Sequence, residues 1–251
     1  MESVRVLVRS PRSFAYQDLT WEGRNLGNIV TCLGGTKVKP YYRAHLDPDL
    51  IPGMRPRPQG WRPLFGQCGA AQGHLAKQGV GPGDTFLFFG LFRDVDDDGL
   101  FVRGSKPRHI LWGWLQVDEV LKVDHHREQL GWAEGHPHLT MIGKAQNTIY
   151  TARKHLLDTT VPGAGVCPKY DAARQLTAPG GRCSRWLLPA FFNPKGRRSA
   201  LSYHGRENAW EASQDGVLLQ SVGRGQEFVL DCGDYPEAAQ WALNLIRDDQ
   251  S

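Results

Sequence analysis

The sequence predicts an α+β fold, an antiparallel, barrel-like mixed sheet with several flanking helices. Two strongly apolar segments, Thr85–Arg93 and His109–Val123, read as strands that pair across an acidic loop. Strand-like segments outnumber helical ones along the rest of the chain. They do not follow a β-α-β alternation, which argues against a doubly wound parallel sheet.

Val4–Val8 alternates apolar residues with Arg and reads as a short strand. Leu26, Ile29, Val30 and Leu33 fall at helical spacing, and Gly34-Gly35 supplies a stop. Residues 41–50 (YYRAHLDPDL) form an extended or turning polar segment. Pro52, Pro56, Pro58 and Pro63 make 51–63 a loop without regular structure and the one plausible boundary in the chain. A helix over Gln67–Gln78 has Cys68, Ala71 and Leu75 on one face and Gly79 at its C-terminal cap. GVGPGD then turns into the first strong strand.

Beyond the second strong strand, 132–140 (WAEGHPHLT) reads as a loop and Asn147–Ala152 as a strand. Residues 160–183 are rich in Gly and Pro, while Arg185–Phe192, Ala200–Tyr203 and Glu227–Leu230 read as strands. Asp234, Pro236 and Glu237 have the spacing of a capped helix start. Ala238, Trp241, Ala242, Leu245 and Ile246 give that helix its apolar face.

With 251 residues, 40% of them hydrophobic, the chain can bury a sizeable core, and a single domain over 1–251 is expected. Its core runs over about 65–231, with 1–63 packed on it. A net charge of +4 permits a polyanionic partner without requiring one. The five cysteines form no metal-binding spacing and read as reduced thiols. No apolar run reaches the ~18 residues of a membrane span, and the start carries no secretory signal core, so a cytoplasmic protein is expected.

Several motifs bear on chemistry. Asp94-Val95-Asp96-Asp97-Asp98-Gly99 opens like a calcium loop, but its twelfth position is Ser105 instead of Glu; a solvated hairpin loop is the better reading. In His45-Leu46-Asp47-Pro48-Asp49, residues two apart share a face when extended, so His45, Asp47 and Asp49 are placed to converge as an acid–base or divalent-metal group. From the residues alone an ordinary Asp-Pro turn is the favoured reading. His136-Pro137-His138 lacks a third ligand unless His45, Asp47 or His74 joins it. Gln67, Gln72 and His74, ahead of the strong strands, suit a phosphate or a base edge, or else simply face solvent.

Eight tryptophans are many for this length. Trp112 and Trp114 share one strand face and would sandwich a base if that face is open, or fill the core if it is closed. Arg93, Arg185, Trp186, Tyr203 and His204 complete the aromatic and basic group, and Asn147 and Tyr150 stand in the segment that would close a base slot. There is no G-x-G-x-x-G after a strand, no P-loop, no G-x-S-x-G and no activated cysteine, which excludes the commonest nucleotide folds and covalent hydrolases.

GPGDTFLFFG followed by HILWGWLQVDEV is similar to the pattern of PUA-like domains, including the EVE and ASCH types. That resemblance implies a barrel that binds RNA or a modified, sometimes flipped, base. A wider set occurs in order: HLDPDL, GWRPLFGQCGAAQGHL, GVGPGDTFLFFGLFR, HILWGWLQV, HPHL, NTIY, LT at 176–177, SRWLLPAFF, LSYH and QEFVL. From about residue 40 onward this set resembles the third type of nucleotide-modification-associated domain, found in bacteria and phages beside DNA base-modification genes. One departure is the start, MESVRVLVRSPRSFAYQDL, where the resemblance implies a longer segment with Lys-Gly-Phe-Asp and a Gly-Gly/Ser-Pro turn. A catalytic group supplied by such a segment would be missing.

The expected function is recognition of a modified base or nucleotide in a DNA-modification system. DNA or a nucleotide would be the partner, alongside other proteins of that system. The alternatives are an enzyme using the His/Asp groups and a non-catalytic interaction subunit. No cofactor is required by the sequence, a divalent metal being the one alternative.

Overall fold

A computed structural model describes residues 14–34, 37–141, 143–157, 159–197, 199–222 and 227–247. The strand expected at Val4–Val8 lies outside them. The chain divides into two compact units. One holds the described residues up to Phe86, with Asp94–Ser105 and Gly113–Val166. The other holds Leu87–Arg93, Lys106–Trp112 and the described residues from Cys167 onward. The proline-rich stretch at 51–63 therefore lies inside the first unit.

The first unit opens with a small antiparallel pair, β1 (Thr20–Trp21) and β2 (Arg24–Asn25), leading into α1 (Leu26–Gly34) as its spacing predicts. Then come β3 (Leu64–Gln67) and α2 (Gly69–Lys77). Gln67 ends a strand and does not begin the helix, because Leu64–Gln67 pairs with a later strand. Gly79 follows the helix at φ +77°, the left-handed geometry of a C-terminal cap.

The two strong strands, β4 (Thr85–Phe92) and β5 (Arg108–Lys122), pair as predicted and contribute residues to both units. The acidic loop between them is a hairpin tip: Asp96 Oδ1 accepts from the Asp98 and Leu100 N–H groups. A short helix, α3 (Val123–His126), precedes β6 (Thr148–Ala152) and β7 (Ala164–Val166). The sheet order is β3-β6-β5-β4, with β7 also on β5. Trp114 is buried beneath β7, and its indole N–H donates to the Pro162 carbonyl at 2.9 Å. A Cβ on Gly165 would come within 2.6 Å of the Trp114 ring, so glycine there lets the strand close over the indole.

The second unit contains a three-stranded antiparallel sheet in the order β8 (Arg185–Leu188), β10 (Gly216–Gln220), β9 (Trp210–Ser213). Trp186, Leu188, Val217 and Leu219 alternate inward, and α4 (Glu237–Arg247) packs Ala238 and Leu245 into the same core. The β9–β10 hairpin, closed by a two-residue turn at Gln214-Asp215 with Gly216 opening β10, was not expected. The expected strand over Arg185–Phe192 stops at Leu188, because Pro189 has no N–H and starts a single turn at Ala190–Phe192. Ala200–Tyr203 and Glu227–Leu230 are not strands. They meet through Ser202 N–H to the Val229 carbonyl and Val229 N–H to Ser202 Oγ. Helix α4 begins at Glu237, three residues after Asp234.

Among the described residues the strands close no barrel, so the antiparallel α+β class stands and the barrel expected of a PUA-like pattern is not found. All five cysteines are free thiols. No helix among the described residues is long and apolar enough to cross a membrane.

The proline-rich stretch is pinned, not loose. Arg57 donates to both oxygens of Asp49, at 2.6 and 2.7 Å, and Arg55 lies 3.5 Å from the same carboxylate. Arg57 also covers the Trp61 ring, and Arg55 the Phe14 ring. Removing one partner of such a buried ion pair strands the other charge. Asp49→Ala is therefore expected to lose about 3–5 kcal/mol in urea unfolding. An unchanged unfolding midpoint would show that the arginines find other partners.

Candidate active site

The segment 45–49 runs beside β3. Asp49 and Leu64 exchange both backbone hydrogen bonds, N–H to O at 2.9 and 3.1 Å. That register sets Asp47 beside Gly66, whose N–H donates to Asp47 Oδ1 at 2.8 Å. Three imidazoles then surround the same carboxylate. His138 Nε2 lies 3.2 Å from Oδ2, His136 Nε2 3.5 Å from Oδ1, and His45 Nε2 3.7 Å from Oδ2. Asp47, His136 and His138 are buried, whereas the His45 side chain keeps 15% of its surface.

Local structure explains the convergence. His136 precedes a single helical turn, Pro137–Leu139, and its Nδ1 accepts from the His138 N–H at 3.4 Å, while its buried Nε2 approaches Asp47 Oδ1 at 3.5 Å without making a hydrogen bond. A Cβ on Gly66 would lie 2.3 Å from His138 Cδ2, so only glycine lets that imidazole settle against β3. Asn147, just before β6, donates to the carbonyls of His138 and Met141 and meets His138 Nδ1 through its own oxygen at 2.5 Å. Arg55 donates to the Glu134 carbonyl, which ties the loop leading to His136 to the Asp49 pair.

Burial pushes the Asp47 carboxyl up, but the bonds from His136, His138 and His45 outweigh it and hold the group well below the usual carboxylate range. Burial pushes His138 down, and its contacts with Asp47 and Asn147 overcome that and raise it. The cluster is thus arranged for charge separation and proton exchange. His45 Nδ1 is buried with no hydrogen-bond partner. The imidazole nitrogens face the Asp47 oxygens, and among the described residues no group of three or more His, Cys, Asp or Glu side chains is placed to hold a metal ion.

Of the six residues proposed for chemistry, His45, Asp47, His136 and His138 come together. Asp49 does not join them, because the arginines occupy its carboxylate. His74 sits on α2, where burial and the nearby Lys77 push its pKa down. The residues proposed to read a base are mostly committed elsewhere. Trp114 is core. Tyr150 is buried against Phe65 and Phe86, its hydroxyl donating to the buried Gln72 at 3.0 Å. Asn147 holds His138. Trp186 is buried, its N–H donating to His109 Nδ1 and to the Cys183 carbonyl. Arg185 pairs with Glu211. Gln67 accepts from the Cys68 N–H. The His204 ring is spent between the Ser202 carbonyl and the Val222 N–H. Arg93 and Tyr203 are exposed, and Trp112 is half-buried beside Phe88.

Two contributors went unnoticed in the sequence. The glycine of LFGQ marks where a ring meets a strand, and the arginines of the proline-rich stretch fix the segment that carries Asp47.

The family model for nucleotide modification associated domain 3 matches residues 8–231. The chain belongs to that family. All four clustered residues lie inside the matched span, so the cluster belongs to the nucleotide modification associated domain itself. No curated protein and no solved structure matches the chain significantly.

The paired shifts fix how stability depends on pH. Asp47 titrates below its ordinary 3.8 when folded, so its contribution is present above 3.8 and is lost as pH falls through the lowered value. His138 titrates above its ordinary 6.5, so its contribution is complete below 6.5 and is lost as pH rises through the raised value. Melting temperature followed across pH should fall on both flanks, and Asp47→Asn should remove the acid flank and flatten the alkaline one. Equal pH dependence in wild type and Asp47→Asn would contradict the pairing.

Proposed function

We propose that this domain performs acid–base catalysis on a nucleotide or nucleic-acid base within a nucleotide-modification system, with His45 as the proton-transferring group. The single observation that carries this reading is the state of the His45 ring. Its Nε2 faces the Asp47 carboxylate at 3.7 Å, while its Nδ1 has no protein partner. A buried polar atom left unpartnered calls for a physical account, and a waiting substrate group supplies one. Asp47 orients the ring and favours the proton on Nε2, so that Nδ1 presents a lone pair. That lone pair takes a proton from water or from a hydroxyl or amine of the substrate, and the imidazolium so formed is stabilised by the carboxylate. Family membership supports the substrate class, and the net charge of +4 is compatible with a phosphate-bearing ligand.

The test is mass spectrometry of nucleosides after incubation with deoxynucleoside monophosphates, plain DNA and DNA carrying hydroxymethylated pyrimidines. A mass change is expected with one of these probes. His45→Ala should slow it by about 10²–10⁴-fold in a protein that still folds, with a melting temperature lowered only by the loss of one donor to Asp47. Undiminished turnover in His45→Ala would remove the residue from the chemistry.

A second reading, recognition of a modified base, rests on Trp112. Its ring is half-buried beside Phe88, and its indole N–H is buried without a partner. An aromatic face with a free donor suits a stacked base. Under this reading Trp112→Ala weakens binding to modified DNA, compared with unmodified DNA at one fixed salt concentration. Equal affinity of wild type for the two DNAs would defeat it.

A further inference from the structure

We propose that His138 is a standing imidazolium at neutral pH, made so by Asn147, and that it serves as the counter-ion of Asp47 so that His45 does not have to. The argument starts from the Asn147 amide. Its Nδ2 donates to two backbone carbonyls, of His138 at 2.8 Å and of Met141 at 3.2 Å. Turning the amide over would set its oxygen against both carbonyls, so the orientation is forced. The amide oxygen therefore faces His138 Nδ1, at 2.5 Å, and that nitrogen has to donate. The other ring nitrogen, Nε2, lies 3.2 Å from Asp47 Oδ2. A neutral imidazole has one N–H. With that proton on Nδ1, Nε2 would point a lone pair at a carboxylate oxygen in a buried site. Only the doubly protonated ring satisfies both neighbours.

The groups that meet this ring come from every side. Asp47 comes from the segment beside β3, Gly66 from β3, Asn147 from the start of β6, and His136 from its own turn. Of these, Asp47 alone supplies a negative charge. His136 accepts the His138 backbone N–H on its Nδ1 and comes no nearer to Asp47 than 3.5 Å, without a hydrogen bond. His45 meets the carboxylate at the longest of the three distances, 3.7 Å. The negative charge facing this ring is thus matched by the one ring that must carry two protons. His45 is then free to stand neutral with an open lone pair, the form a general base requires. Asn147 is a positioning residue here, acting through His138. The charge assignment stands by itself. Its consequence for turnover rests on the acid–base reading of His45.

The experiment is a ¹⁵N NMR titration of the histidine rings in the full-length protein, with His138 assigned by His138→Gln. At pH 7 both His138 ring nitrogens are expected to show imidazolium shifts, with loss of the proton at higher pH than for the exposed His125. Asn147→Leu should lower the His138 midpoint by about one pH unit, a tenfold drop in the protonated fraction above that midpoint. Asn147→Ser serves as the milder variant if Asn147→Leu does not fold. A neutral His138 at pH 7 in wild type overturns the proposal. So does a stoichiometric divalent metal found by elemental analysis with His138 Nε2 as its ligand, because a ligating nitrogen cannot also hold a proton. A midpoint unmoved by either Asn147 variant overturns the role of Asn147. An imidazolium His138 in a protein that alters none of the nucleotide probes would leave this assignment intact and count against the catalytic reading alone.

Discussion

The site depends on one buried carboxylate. Taking an ion out of water costs several kcal/mol even after relaxation, so Asp47 is tolerated only because its surroundings supply donors. A backbone N–H from Gly66 and three imidazoles do so. Each needs its own support. The Gly66 N–H is aimed by the register between Asp49 and Leu64. The His138 ring needs the missing Cβ of Gly66 and the amide of Asn147. The approach of His136 needs a turn that Arg55 anchors through the Glu134 carbonyl.

Two residues along, Asp49 is buried just as deeply and is satisfied differently. Its partners are two guanidinium groups, which never lose their charge in the working range. That pair is an anchor with no chemistry to offer. Asp47 is matched by imidazoles, whose protons move near neutral pH. Anchor and reactive centre sit on one five-residue segment, so fixing the first positions the second. Such a layout meets a general need of catalysis, where titratable groups have to be held by groups that do not titrate.

Much of this was legible locally. Local pattern gave α1, β4, β5, β6 and the apolar face of α4, because each is a compact apolar or amphipathic run bounded by polar or turn residues. It misread Ala200–Tyr203 and Glu227–Leu230, where apolar residues fill the core from irregular backbone. The spacings His-x-Asp and His-x-His singled out four residues that the structure brings together. Their meeting was not legible, since it depends on a register and a bare glycine far along the chain. The rule that residues two apart share a face placed Asp49 with Asp47, and it failed because Arg57 offered that carboxylate a bidentate partner. The aromatic candidates failed for a simpler reason. A large, flat side chain is worth most to folding when buried, and Trp114, Tyr150 and Trp186 are all spent that way.

The two functional readings can be separated by what each leaves unsatisfied. A reader of bases needs an open aromatic face and free donors or acceptors, whereas an enzyme of the acid–base kind needs a titratable atom with a free lone pair. Trp112, in the second unit, offers an unpartnered indole N–H beside a half-buried ring. His45, in the first unit, offers an unpartnered imidazole nitrogen on a ring already oriented by a carboxylate. The indole N–H is a donor that never changes protonation, so it can select a ligand but not transform one. The histidine comes with Asp47 and His138, each of which shifts the titration of the other. Holding three imidazoles around a buried carboxylate costs desolvation and ordering that a binding surface has no need to bear. That cost is the physical support for the proposal of chemistry at His45.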